Sequence, residues 1–338
     1  MIRRELKSLK IRSRQDEIGN IFAEIKGDDK KAPKLLLNAH MDTVNPGENI
    51  RPKIRYGFIT SDGKTILGAD NKAGIAVIME VLHVLKQIDH GDIQIIFTVQ
   101  EETGLAGARA IRKSDLDADL GYVLDGGDVD TLYIKAPTQY NLTAEVCGRA
   151  AHAGLHPEHG ISAIKVASEA VAKMKLGRID FETTANIGII KGGIATNIIP
   201  EKVEIKGEAR SHNIGKLKAQ IKHMRKCLSK ACSKNKASLK VNIDCVYDAF
   251  SIDKDDRIIK IAAKALKDLG IKAKSHRTGG GSDANIFNGM GLKSLIIGVG
   301  ADRVHTKNER LSVDEFFTGA KLLLNIIKET YARKNHKK

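Results

Sequence analysis

The chain has 338 residues, 42% apolar and 29% charged, a balance typical of soluble globular proteins and enough for one large domain or two ordinary ones. No apolar run approaches the roughly 18 residues of a membrane span, and Met1–Glu5 lacks the apolar core of a secretory leader, so a cytoplasmic location without membrane contact is expected. The net charge of +15 does not argue for nucleic acid, because aromatics make up only 4%, tryptophan is absent, and the lysines are spread over helices and the tail Lys334–Lys338.

The first strong element is the apolar run from Leu35, which ends in His40-Met41-Asp42. Side chains alternate along a strand, so His40 and Asp42 leave its carboxyl end together, where open α/β sheets place their ligands. A carboxylate behind an imidazole commonly orients a metal-binding histidine. Next, Thr65–Asp70 sets an aspartate at a glycine turn before a helix starting near Lys72. That helix carries Ile75, Val77, Ile78, Val81, Leu82 and Leu85 at helical spacing. Ile93–Gln100 reads as a buried strand ending in Glu101-Glu102, and Leu120–Leu124 as another ending at Asp125. Strands alternating with helices predict a largely parallel sheet covered on both faces.

Near Ala136-Pro137 the pattern changes. Asn141–Val146 alternates apolar and polar residues, as a half-solvated antiparallel strand does. A helix at Ile161–Met174 follows, then strands at Ala185–Ile190 and Lys202–Ala209, a basic amphipathic helix, and a strand at Ser238–Cys245. This β-α-β-β-α-β order predicts a ferredoxin-like module at 137–247, inserted into an α/β domain formed by 1–136 and 248–338. After the insertion, Leu295–Val299 precedes a loop carrying His305. Cys147, Cys227, Cys232 and Cys245 lack zinc-finger spacing and read as reduced thiols.

His40, Asp70, Glu102, Asp125 and His305 thus all fall at the mouths of sheet elements and supply nitrogen and oxygen donors. That donor set suits zinc, with manganese or cobalt possible. Five protein ligands exceed what one catalytic zinc takes, and suit two metals ~3.5–4 Å apart that share a carboxylate. Neighbours on an extended backbone point apart, which frees Glu101 to act as general base. Amide hydrolysis is the reaction class expected.

These motifs resemble the co-catalytic dizinc metallopeptidases, the clan of peptidase T, carboxypeptidase G, aminoacylase and succinyl-diaminopimelate desuccinylase. Thr65–Asp70, Ala151-His152-Ala153-Gly154 and Gly279–Ala284 are its most specific marks here, and the peptidase T-like branch is the one most resembled. The resemblance implies a zinc-exopeptidase-type sheet covered by helices, with the inserted module as a lid and homodimer interface. It implies that His40 and Asp125 bind one zinc, Glu102 and His305 the other, and that Asp70 bridges them. Glu101 would move the proton, Asp42 would hold the local geometry, and His152 would stabilise the oxyanion from the partner subunit. Asn197, Arg210 and Arg277 would bind a short peptide substrate, the arginines gripping its carboxylate. Relatives carry some thirty further residues ahead of the point matching Met1, so the catalytic domain's first helix is expected to be missing. The activity expected is that of a tripeptide aminopeptidase. The alternatives are an N-acyl amino-acid deacylase or carboxypeptidase using the same metals, or a catalytically silent binding protein.

Overall fold

The computed structural model describes residues 1–333; the basic tail 334–338 lies outside the described residues. The chain divides into two compact units, Met1–Lys135 with Phe250–Thr278 and the segment from Ser282 onward, and Ala136–Ala249 with Gly279–Gly281.

In the first unit the apolar runs form the middle of a nine-stranded sheet. Ile93–Thr98, Leu35–His40, Leu120–Gly126 and Ser294–Gly298 lie side by side in that order, all parallel. Every residue of Leu35–His40 and Ile93–Thr98 is buried, which is why these strands read as continuous apolar text. The parallel expectation holds for this centre and for Lys274–Arg277, which joins Thr131–Ala136 in parallel. Ile21–Ile25 joins Ile93–Thr98 antiparallel, and Thr131–Ala136 joins Ser294–Gly298 antiparallel. Helix Ala69–Val84 packs on Leu35–His40 and Leu120–Gly126, and Val313–Ala332 packs on both Ala69–Val84 and Arg257–Asp268. Leu36, Leu37, Ile78, Ile95, Ile96 and Leu124 are fully buried, each stabilising the fold by about 1.5–3 kcal/mol.

Besides the flanking strands, a short helix and a small sheet of this unit are not marked in the text. A short helix, Ile2–Ser8, buries Leu6 near the start of the chain. A separate four-stranded sheet joins Ala301–Asp302, Arg310–Ser312, Phe58–Thr60 and Lys53–Arg55. Its Ala301–Asp302/Arg310–Ser312 ladder closes the loop that carries His305.

The second unit is an antiparallel sheet ordered Gly177–Asp180, Thr183–Gly192, Lys202–Ser211, Thr138–Cys147, Ser238–Tyr247. Apart from the added edge strand Gly177–Asp180, this is the strand order of a ferredoxin-like module. Helices Ala163–Ala172 and Ile214–Lys234 pack on the sheet and bury Leu142, Val146, Ile205, Leu217, Met224 and Leu228.

Candidate metal centre

Three of the predicted ligand positions, His40, Glu102 and Asp125, follow directly from the parallel strands. His40 is the last residue of Leu35–His40 and is almost fully buried. Two residues on, the Asp42 carboxylate does two jobs. Its Oδ1 accepts the backbone N–H of Glu101 at 3.0 Å and its Oδ2 that of Glu102 at 3.1 Å. The backbone carbonyl of Asp42 accepts from His40 Nδ1 at 3.1 Å, with Oδ1 at 3.5 Å from the same nitrogen. Asp42 therefore sets the imidazole and clamps the loop after Ile93–Thr98, where Gln100 turns with a left-handed φ of 55°.

Asp70 is placed by a different device. Gly68 adopts φ 73°, and the backbone N–H groups of Leu67, Gly68 and Asp70 all donate to the Glu309 carboxylate, at 2.7, 2.7 and 3.0 Å. Glu309 is buried. The two Asp70 oxygens then face different imidazoles: Oδ1 is 2.9 Å from His40 Nε2, and Oδ2 is 3.2 Å from His305 Nε2. Asp125 Oδ1 lies 3.5 Å from the same His40 nitrogen, and Glu102 Oε1 lies 2.9 Å from the same His305 nitrogen. Asn71, joined to Asp70 by a cis peptide, donates its amide to Asp125 Oδ1 at 3.3 Å and accepts the Gly74 N–H at 3.1 Å. A Cβ on Gly74 would sit 2.4 Å from both Asn71 Oδ1 and the Leu124 carbonyl, so the helix can approach this closely only with glycine there.

The charges are arranged to oppose one another. Burial alone would lower the His40 pKa, but hydrogen bonding to Asp125, Asp42 and Asp70 holds it well above the usual range. Hydrogen bonds to Asp70 and Glu102 push His305 up to about 10. Burial would raise Asp70, yet the two histidines hold its carboxyl well below the ordinary value. Glu101 is raised well above the carboxylate range, first by burial and then by the charge of Asp125. A cleft of about 330 Å3 opens on the group, lined by Asp70, Asn71, Asp125, Gly127, Tyr133 and Arg303.

The donors fit divalent metals. Two imidazoles and three carboxylates converge, and ligand atoms of His40, Asp70 and Glu102 all lie within 4.8 Å of one another. Residues 36–329 match Peptidase family M20/M25/M40. The chain belongs to this family. It is 42% identical over 314 residues to protein YqjE of Bacillus subtilis, covering 92% of this chain and 84% of that one. A tripeptidase from Staphylococcus aureus superposes with a TM-score of 0.89 at 40% identity, over 98% of this chain and 91% of the other. Aminopeptidase PepT from Bacillus cereus gives 0.83 at 39%, over 97% and 91%. This M20 chain is a metallopeptidase of the peptidase T-like branch.

The remaining predicted positions divide between the two units. Arg277 ends the exposed strand Lys274–Arg277 in the metal-bearing unit. His152, Asn197 and Arg210 belong to the inserted unit. There, the backbone N–H of Ala153 donates to the Asn197 carbonyl at 2.9 Å. The N–H groups of Gly154 and Leu155 donate to His152 Nδ1 at 3.2 and 3.1 Å. Nδ1 is thus the unprotonated nitrogen, and a neutral His152 presents Nε2–H as a donor.

Three site residues escaped the sequence reading. Glu309 sits in the polar text Lys307-Asn308-Glu309-Arg310, which looks like any solvated loop. Asn71 follows Asp70 with nothing to mark its carboxamide. Asp283 was noticed only as part of a loop motif. It is buried, accepting hydrogen bonds from Thr98 Oγ1 and from Asn38 Nδ2, the latter at 3.2 Å. Among the described residues no helix is long and apolar enough to cross a membrane.

Proposed function

We propose that this peptidase removes the amino-terminal residue of tripeptides, using two divalent metals, zinc in the first instance. The observation that supports the reading best is Asp70, whose two oxygens each face the Nε2 of a different imidazole while each Nε2 faces one further carboxylate. His40 and Asp125 would hold one ion, His305 and Glu102 the other, and Asp70 both. When bound, such a pair supplies Lewis acidity and makes water nucleophilic near neutral pH. Glu101 accepts a proton from the attacking water as its oxygen adds to the scissile carbonyl carbon. It returns that proton to the amine nitrogen as the C–N bond breaks. His152 donates Nε2–H to the developing oxyanion, and Asn197, Arg210 and Arg277 bind the peptide, the arginines at its terminal carboxylate.

The inserted unit is proposed to pair with a second copy of the chain. Ile164, Ile189, Ile190 and Ile194 are all exposed on it, and pairing would cover apolar surface of this kind. The activity reading is tested by incubating the metal-loaded protein with free-amino tripeptides, dipeptides, N-acylated amino acids and carboxyl-terminally extended peptides, alongside a metal count. Release of the first residue from tripeptides, with two metals per chain, is expected. Hydrolysis confined to N-acyl substrates, or release from the carboxyl end, would reject it.

A further inference from the structure

Arg210 does not stand alone on the sheet of the inserted unit. Glu208 and Arg210 are two residues apart on Lys202–Ser211 and so share a face. Arg210 Nε donates to Glu208 Oε1 at 3.0 Å and Nη2 to Oε2 at 2.9 Å, a two-pronged pairing that fixes the guanidinium plane. Behind the pair, Gln139 faces Arg210 across the ladder, and its Nε2 donates to Glu208 Oε2 at 3.0 Å and to Asn141 Oδ1 at 2.9 Å. With that amide group donating to two acceptors, its oxygen must accept, and it does so from the Tyr247 hydroxyl at 2.7 Å. Gln139 and Tyr247 are both buried. At the far end the Tyr247 ring presses on the glycine run, where a Cβ on Gly281 would fall 2.1 Å from Tyr247 Cζ.

The donors converge on Glu208: phenol to carboxamide oxygen and carboxamide N–H to carboxylate on one side, guanidinium to the same carboxylate on the other. Glu208 therefore receives three N–H bonds and cannot swing without leaving a buried amide unpaired, which makes the arrangement rigid. Three adjacent strands each contribute a member, so the orientation of Arg210 is set by the sheet rather than by its own flexible stem.

We propose that Glu208, Gln139 and Tyr247 are positioning residues that aim Arg210 and thereby determine specificity for a free peptide carboxylate. This rests on the reading of Arg210 as a carboxylate-binding residue. With Glu208 offsetting the charge of Arg210, discrimination comes from the direction of the guanidinium donors more than from long-range attraction. A slightly misaimed fork then loses much of its selectivity.

The test compares one tripeptide as its free acid and as its carboxyl-terminal amide, measuring kcat and KM for the unaltered metal-loaded protein and for Arg210→Ala, Tyr247→Phe and Glu208→Gln. Tyr247→Phe removes only the hydroxyl and keeps the ring against Gly281; melting curves confirm that each variant is folded, and Glu208→Gln carries the test should the phenylalanine variant fail to fold. The expected result is a preference for the acid that Arg210→Ala abolishes. Tyr247→Phe should raise KM for the acid about tenfold, the size of one hydrogen bond in a charged network, with kcat changed less than twofold and KM for the amide unmoved. If Arg210→Ala abolishes the preference while Tyr247→Phe and Glu208→Gln retain it, the relay is overturned and the carboxylate reading stands. If Arg210→Ala leaves the preference intact, the carboxylate reading fails and the relay with it. No turnover of any tripeptide by the unaltered protein would reject the peptidase reading and the relay together.

Discussion

At the scale of single residues, the centre separates groups that would hold metal from groups that place them. Glu101 belongs to neither class: it has no assigned metal, it is half-buried, and its raised pKa, caused first by desolvation and then by the charge of Asp125, suits a proton carrier. Glu101→Ala should lower kcat by about 10²–10⁴-fold with the metal count unchanged, since its neighbour Glu102 is held through its own N–H to Asp42. Loss of metal together with activity would instead make Glu101 a ligand. Glu309 gives the opposite pattern. Its carboxylate gathers three backbone N–H groups of the turn before and at Asp70. Glu309→Ala should weaken metal binding about 10–100-fold, as removal of such supporting groups does, measured by competition with a chromophoric chelator. An unchanged affinity would show that the turn holds its shape without Glu309.

At the scale of elements, the site depends on how closely helix Ala69–Val84 approaches the strand Leu120–Gly126. Gly74 permits that approach, because any side chain would strike the Leu124 carbonyl. Gly74→Ala should cost about 1–3 kcal/mol through overpacking. It should appear as a lower urea midpoint with unchanged slope; a midpoint equal to that of the unaltered protein would mean the helix can move away at no cost. The same element shows where pattern reading stops. Periodicity placed the helix from Lys72, and regular helical conformation does begin there; ahead of it Asp70 and Asn71 form a non-helical turn. The apolar period records which face is buried. It carries no signal for a turn shaped by a carboxylate from the other end of the chain, Glu309.

At the scale of the whole molecule, metal removal and self-association are the measurable properties. Two imidazoles and three carboxylates brought together from five segments should be held more firmly by bound ions than without them. Dialysis against a chelator should abolish activity and lower the melting temperature, both restored on adding zinc; at a free metal concentration of 100 times Kd the gain is about 2.7 kcal/mol. Melting that ignores metal would contradict the proposed centre. For the inserted unit, sedimentation should give a dimer, and Ile190→Lys should return a monomer by charging the exposed apolar group. A monomer before substitution would remove the homodimer proposal.

Much of this was legible in the sequence, for a definite physical reason. Strands buried on both faces must be continuously apolar, so Leu35–His40, Ile93–Thr98, Leu120–Gly126 and Ser294–Gly298 announce themselves, and with them the polar residues at their ends. His40, Glu102 and Asp125 stand out by their position at or just past these ends, Asp70 and His305 by the turn and loop that carry them, and the alternation of Asn141–Val146 marks the inserted module. The antiparallel flanking strands, the small sheet beside His305 and the helix Ile2–Ser8 were not legible, because short, half-exposed elements carry no such signature. Nor were the groups that position others. Asn71, Glu309 and Asp283, and the Gln139, Glu208 and Tyr247 that surround Arg210, are ordinary polar residues in the text. The sequence by itself determined which donors exist and at which strand ends they emerge. Only the tertiary structure decided that Asp70 shares its two oxygens between His40 and His305, since that depends on distances between segments up to 265 residues apart along the chain, from His40 to His305, and no local pattern encodes such a separation.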